Sequence, residues 1–157
     1  MEHLEIERKF LVRSTAYREA ASAKTRIVQG FLNRDPERVV RVRRLDDKGF
    51  LTVKGPSNDS GTTRFEWELE LSVQEANNLM DLCERGILEK IRYTVPVGRH
   101  HFEVDEFLGE NKGLVVAELE LEHEDEPFES PSWLGEEVTG QVKYYNSNLS
   151  QKPFLEW

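Results

Sequence analysis

Eight stretches of this chain alternate residue by residue between apolar and polar side chains: "LEIERKFLV", "TRIVQGFLN", "RVVRVRRL", "GFLTVKG", "TTRFEWELEL", "EKIRYTVPV", "HHFEVDEF" and "LVVAELELEH". A period of two fits extended strands, whose successive side chains point to opposite faces, and does not fit a helix. The short gaps "LDDKGF" and "VGRHHF" hold Asp, Lys and Gly, which favour tight reversal, so antiparallel meanders are expected. Helix is the minority: "TAYREAASA" after Ser14, "SVQEANNLMDLCER" with Ser72 as N-cap and Gly86 as stop, and a last segment around "GQVKYYNSNL". In the middle one, Ala76, Leu79, Met80 and Cys83 form an apolar stripe expected to face the core. "GPSNDSGTT" and "HEDEPFESPSW" read as loops. At 157 residues, 38% hydrophobic and without a linker, the chain reads as one α+β domain over 1–157.

Sorting the charges by strand phase gives a uniform result. Glu5, Glu7 and Lys9 share one face of the first strand; Arg41 and Arg43 share one face of the third, with Val40 and Val42 opposite. Lys54 ends "LTVK", and Arg64, Glu66, Glu68 and Glu70 alternate with Phe65, Trp67, Leu69 and Leu71. Lys90 and Arg92, then Glu103 and Asp105, then Glu118 and Glu120 continue the pattern against apolar neighbours. An ordinary antiparallel sheet explains this by turning each charged face to solvent. The charged faces nevertheless hold almost only Arg, Lys, Glu and Asp, which favours closure of about eight strands into an antiparallel barrel with a charged, wet interior and its apolar faces outward beneath the helices. Confined like charges repel, and two devices relieve them: carboxylates share hard divalent cations, and Arg and Lys bind phosphate oxygens. All-oxygen ligation suits Mg²⁺ or Mn²⁺, and no Cys/His spacing suits zinc.

Composition narrows the partners. A formal net charge of -9 disfavours a nonspecific nucleic-acid binder. The chain is charged from its second residue and has no apolar run near the ~20 residues of a membrane span, so neither signal peptide nor membrane segment is expected and a cytoplasmic location follows. The single Cys83 excludes an intramolecular disulfide. The acidic run Glu122 to Glu126 lacks a calcium-loop register and reads as solvated. His3, His100, His101 and His123 are scattered over a strand start and turns, with no catalytic part expected.

"EIERK" at Glu5 to Lys9 resembles the Glu-x-Glu-x-Lys signature of the CYTH superfamily, the triphosphate tunnel metalloenzymes. "VRVR", "LTVKG", "RFEWELEL", "KIRYTV", "FEVDEF", "VVAELELE" and "WLGEEVTGQVKYYNSNL" follow in that family's order, so the resemblance spans almost the whole chain. It implies an eight-stranded antiparallel tunnel, a divalent metal and a small-molecule triphosphate substrate, with a homodimer as a possible assembly. By matching position, Lys9, Arg41, Arg43, Lys54, Lys90 and Arg92 look like phosphate ligands; Glu5, Glu7, Glu66, Glu68, Asp105, Glu118 and Glu120 look like the metal-binding and water-orienting set. Glu5, Glu7, Lys9, Glu66 and Glu68 are the expected catalytic group. Arg64, Glu70, Glu103 and Lys143 are open between function and structural pairing. Tyr144, Tyr145 and Asn146 look like a segment that plugs or caps the barrel. One departure is Phe31 in "IVQGFL", where the family often has a Tyr proposed to act as base with the signature Lys; a Tyr–Lys dyad cannot operate through Phe. The resemblance implies hydrolysis of inorganic triphosphate, with a class IV adenylyl cyclase, a thiamine triphosphatase and a non-catalytic polyphosphate-binding module as alternatives.

Overall fold

The computed structural model describes residues 3–157. Its strands are β1 (Leu4–Val12), β2 (Ala23–Asn33), β3 (Val39–Leu45), β4 (Lys48–Ser57), β5 (Thr63–Leu71), β6 (Leu88–Val97), β7 (His100–Phe107), β8 (Val115–Leu121) and β9 (Leu134–Glu137). They run in the order β5-β4-β3-β2-β6-β7-β8-β1, and pairing of β1 with β5 closes the ring into an eight-stranded antiparallel barrel. The two hairpin gaps are two-residue reversals, with Asp46 at φ 48 in one and Gly98 at φ 60 in the other. The short β9, which the alternation does not announce, pairs with the far end of β1, where Phe10 faces Glu137 and Val12 faces Leu134.

The helices are α1 (Tyr17–Ala20), α2 (Val73–Met80) and α3 (Asn146–Leu149). Ser72 caps α2 with a reciprocal capping box to Glu75. This helix ends at Met80, short of Gly86, and continues as turns. Its stripe does face the wall: Ala76 is fully buried, and Leu79, Met80 and Cys83 are half-buried. Glycine makes the close approach possible, since a β-carbon at Gly49 of β4 would lie 2.5 Å from that of Ala76. The C-terminal segment is less regular than expected, a 3₁₀ turn at Val142–Tyr144 followed by α3.

Two apolar clusters flank the barrel wall. One lies outside it, where Phe10, Tyr93, Phe102, Val104 and Leu119 pack beneath Tyr17 of α1 and Trp133 of the 122–133 segment. The other lies at one end of the interior, where Phe31, Val39, Leu88, Phe107 and Val116 meet Val138, Tyr144 and Leu149. The interior is charged as expected, and one end of it is closed by an apolar plug supplied by the C-terminal segment. The expectation that the apolar faces lie beneath the helices is corrected on one strand. The outer face of β5 carries Phe65, Trp67 and Leu69, 39%, 37% and 47% exposed, because α2 lies chiefly on β2 to β4 and merely touches β5, while the 122–133 segment lies over β1 and β6 to β8. No helix among the described residues is long and apolar enough to cross a membrane.

Candidate active site

Every strand of the barrel sends side chains into one cavity of about 400 Å³. Strand order sorts the charges into two arcs. The contiguous strands β7, β8, β1 and β5 contribute Glu103, Glu118, Glu120, Glu5, Glu7, Glu66 and Glu68; β6, β3 and β4 contribute Lys90, Arg92, Arg41, Arg43 and Lys54. Lys9 and Arg64 are the cations set within the acidic arc. Thr25, Thr94, Tyr145, Asn146 and Ser147 are among its uncharged lining residues.

Register decides which charges neutralise one another. Arg92 faces Asp105 across β6 and β7, Lys54 faces Glu66 across β4 and β5, and Lys9 faces Glu118 across β1 and β8. Arg92 grips Asp105 through two bonds of 2.8 and 2.9 Å and reaches Glu103 at 3.0 Å. Lys90, 2.9 Å from Asp105, is buried with it. Asp105 therefore lies behind Lys90 and Arg92, with both oxygens engaged. Lys9 bonds Glu7 and Glu118, each at 3.1 Å, and Lys54 bonds Glu5 at 3.0 Å. Arg43 bonds Glu68 at 2.9 Å, while Arg41 stands 3.9 Å from Glu68 and only 3.3 Å from the Thr52 hydroxyl.

Glu5 faces Arg64 across β1 and β5, but two further register pairs are like charges. Glu7 faces Glu120 and Glu103 faces Glu118, an arrangement that repels unless a proton or a cation intervenes. Burial and the charge of Glu118 hold Glu7 protonated well above the usual carboxylate range, against the pull of Lys9. Burial would raise Glu118 as well, but Lys9, a hydrogen bond with Glu7 and Arg92 hold it well below. Glu5 is raised by burial and by its hydrogen bond with Glu66. Glu120 is raised by burial and by Glu5 and Glu103, and has no ion-pair partner among the described residues. Among the described residues no three carboxyl or imidazole groups converge as the shell of one ion, because Lys9 and Lys54 stand between the carboxylates. The donor set still fits a hard divalent cation: it is all oxygen, it lines the cavity, and its facing pair Glu7 and Glu120 is held above the usual carboxylate range, with protons that a cation would displace.

The basic arc is the complement. Burial, then Arg43 and Arg92, push Arg41 down to about 10. Burial also lowers Arg64, whose Nε donates to the Gly55 carbonyl. The Nε atoms of Arg41 and Arg43 are buried without a hydrogen-bond partner among the described residues. Burial and Arg92 bring Lys90 down to about 8 despite Asp105. Of the four positions the sequence left open, Arg64 and Glu103 line the cavity; Glu70 is exposed outside it, and Lys143 lies over Tyr144 and Trp157. Phe31 lies where the cavity meets the apolar plug. Sequence reasoning missed Gln29 and the reach of Asn146; the inward phase of Gln29 in "IVQGFL" was the available signal. His100, His101 and His123, scattered in sequence, gather around a second cavity that shares Thr94, Glu103 and Glu120 with the tunnel, and His100 pairs with Glu126.

Fold and site together define a charged-tunnel β-barrel, with an acidic arc suited to a divalent cation and a basic arc suited to a compact polyanion. The chain belongs to the CYTH family, whose domain model matches residues 3–152. That family implies a divalent metal. The chain is 48% identical over 151 residues to an inorganic triphosphatase of Acetivibrio thermocellus, covering 96% of this chain and 95% of that one. It is 34% identical over 151 residues to an inorganic triphosphatase of Nitrosomonas europaea, covering 93% and 96%. A crystal structure of an inorganic triphosphatase superposes with a TM-score of 0.66 at 32% identity, over 93% of this chain and 97% of that one.

Proposed function

We propose that this protein hydrolyses inorganic triphosphate in a reaction dependent on Mg²⁺ or Mn²⁺. The observation that carries the reading is the under-neutralised basic arc: Arg41 and Arg43 hold buried Nε–H groups beside a cavity without acceptors among the described residues, which amounts to a standing demand for anionic oxygens. Two similar chains named inorganic triphosphatase support the substrate.

In this reading Arg41, Arg43 and Lys54 bind phosphoryl oxygens from one side. Arg92 and Lys90, braced from behind by Asp105, bind from the other, so that charge gathering on the transferred group meets donors already in place. Glu5, Glu7, Glu66, Glu68, Glu118 and Glu120 would hold the cation, which when bound supplies neutralisation of the bridging and leaving oxygens and acidifies bound water. Lys9 keeps Glu118 ionised and Glu7 in place. Glu120, with no ion-pair partner among the described residues, belongs to this cation-holding and water-orienting set. Phe31 contributes no proton. The expected compartment is the cytoplasm.

The test is phosphate release from inorganic triphosphate with Mg²⁺, with Mn²⁺ and with neither, beside ATP, pyrophosphate and thiamine triphosphate. Metal-dependent release from inorganic triphosphate above all others is expected. A cyclic product from ATP, or preference for thiamine triphosphate, would replace the substrate; tight binding without release would make the tunnel a binding module.

A further inference from the structure

Two consecutive side chains of the C-terminal segment enter the tunnel and meet lysines from different strands. The ring of Tyr145 lies 5.6 Å from Lys9 Nζ of β1, within cation–π reach. The side-chain oxygen of Asn146 accepts from Lys90 Nζ of β6 at 2.8 Å and from Gln29 Nε2 of β2 at 3.0 Å. An amide oxygen that accepts two donors at once is fixed in orientation, and it fixes the direction of the ammonium it holds. The residues bracketing this pair anchor the segment: Tyr144 and Leu149 are buried in the apolar plug. Upstream, Gly140 comes so near Gly61 that a β-carbon on Gly61 would lie 2.5 Å from the Gly140 Cα and 3.3 Å from the Tyr145 hydroxyl. Packing alone would be served by any apolar side chain at position 146. The half-buried amide is instead spent on Lys90 and on fully buried Gln29.

We propose that Asn146 and Tyr145 of this plugging segment are positioning residues that aim Lys90 and Lys9 at the phosphoryl oxygens. The proposal deepens the triphosphatase reading and rests on it. Asp105 sets where the Lys90 ammonium sits; Asn146 sets which way its remaining N–H points. Glu7 and Glu118 hold Lys9 from the wall, and the Tyr145 ring closes the side towards the plug.

The experiment compares Asn146→Leu, Asn146→Asp, Tyr145→Ala and Tyr145→Phe in the full chain. It measures kcat and KM for inorganic triphosphate with Mg²⁺, the thermal midpoint, and binding of inorganic triphosphate by calorimetry. Asn146→Leu, near in volume but without an acceptor, is expected to lose about tenfold or more in kcat/KM, as one charge-assisted hydrogen bond implies. Its thermal midpoint should fall by a few degrees, because fully buried Gln29 loses its acceptor, so activity is normalised to the folded fraction. Asn146→Asp keeps the oxygen but adds a charge that neutralises Lys90 and opposes the polyanion, so its loss should appear mainly as weaker binding of inorganic triphosphate. Tyr145→Phe keeps the ring and should recover most of what Tyr145→Ala loses. An Asn146→Leu protein as active as the parent overturns the role of Asn146. If Asn146→Leu does not fold, the Tyr145 pair decides: equal activity of Tyr145→Ala and the parent overturns the positioning role. If the parent itself releases no phosphate, the substrate reading has failed, and calorimetry still judges the positioning role: weaker binding of inorganic triphosphate by Asn146→Leu sustains it, and equal binding sinks it.

Discussion

Arg41 and Arg92 are both buried guanidiniums of the tunnel, yet their surroundings assign them opposite energetic roles. Arg92 answers Asp105, Glu103 and Glu118, so Arg92→Leu strands a buried carboxylate and is expected to cost about 3–5 kcal/mol of stability. Arg41 has no carboxylate nearer than 3.9 Å. Arg41→Leu should therefore leave the unfolding free energy unchanged or raise it, by about 1 kcal/mol, while kcat/KM for inorganic triphosphate falls about tenfold to a hundredfold. Denaturant titration and steady-state kinetics on the same two proteins check the contrast. Glu7 extends the argument to pH. Its folded-state pKa lies above the ordinary 4.5, so the folded protein binds the extra proton. Stability of the metal-free protein should accordingly fall as pH rises from about 4.5 through the raised value. Glu118 and Asp105 act in reverse: held low, they contribute stability that is lost as pH falls through their depressed values. Thermal midpoints in chelator across pH should show the alkaline-side decline in the parent and a flatter profile in Glu7→Gln.

At the scale of elements, the tunnel keeps its shape because its outer wall is braced. Helix α2 lies on β2 to β4, with Ala76 against Gly49 and Cys83 against Gly30. Gly49→Ala forces two β-carbons to 2.5 Å and should lift the helix, costing about 1–3 kcal/mol by overpacking. The activity of the remaining folded protein should be unaffected, because Gly49 faces away from the cavity; urea unfolding and activity normalised to folded fraction test this. The strands and the existence of α2 were legible because alternation and a capping signal are local properties of the chain. Strand β9 was not legible: four residues of "LGEE" carry no period, and they are extended only because the end of β1 offers unpaired backbone.

For the whole molecule, the acidic and basic arcs should make cation and polyanion binding mutually dependent. Mg²⁺ relieves the facing carboxylates Glu7 and Glu120, and triphosphate satisfies Arg41 and Arg43. Either at about a hundred times its Kd should stabilise the folded state by about 2.7 kcal/mol. Together they should exceed the sum of the separate effects, since each neutralises charge that opposes the other's partner groups. Calorimetric scans with Mg²⁺, with triphosphate, and with both measure that excess, and simple additivity would contradict a shared site.

What the sequence determined by itself was the period, and with it the face on which Glu5, Lys9, Arg41, Arg92 and Glu118 stand, because alternation depends only on neighbours along one strand. The closed barrel was reachable from the same pattern, since so many charges on one face have no stable place in a core without phosphate and metal to meet them. Only the tertiary structure decided partnership. Register made Arg92 and Asp105 a bonded pair and left Arg41 without one; strand order gathered the acids into one arc. Closure brought Asn146 across more than fifty residues of chain to Lys90. These are distances between segments far apart in sequence, and they follow from how strands are ordered and shifted against one another, which no local pattern of side chains encodes.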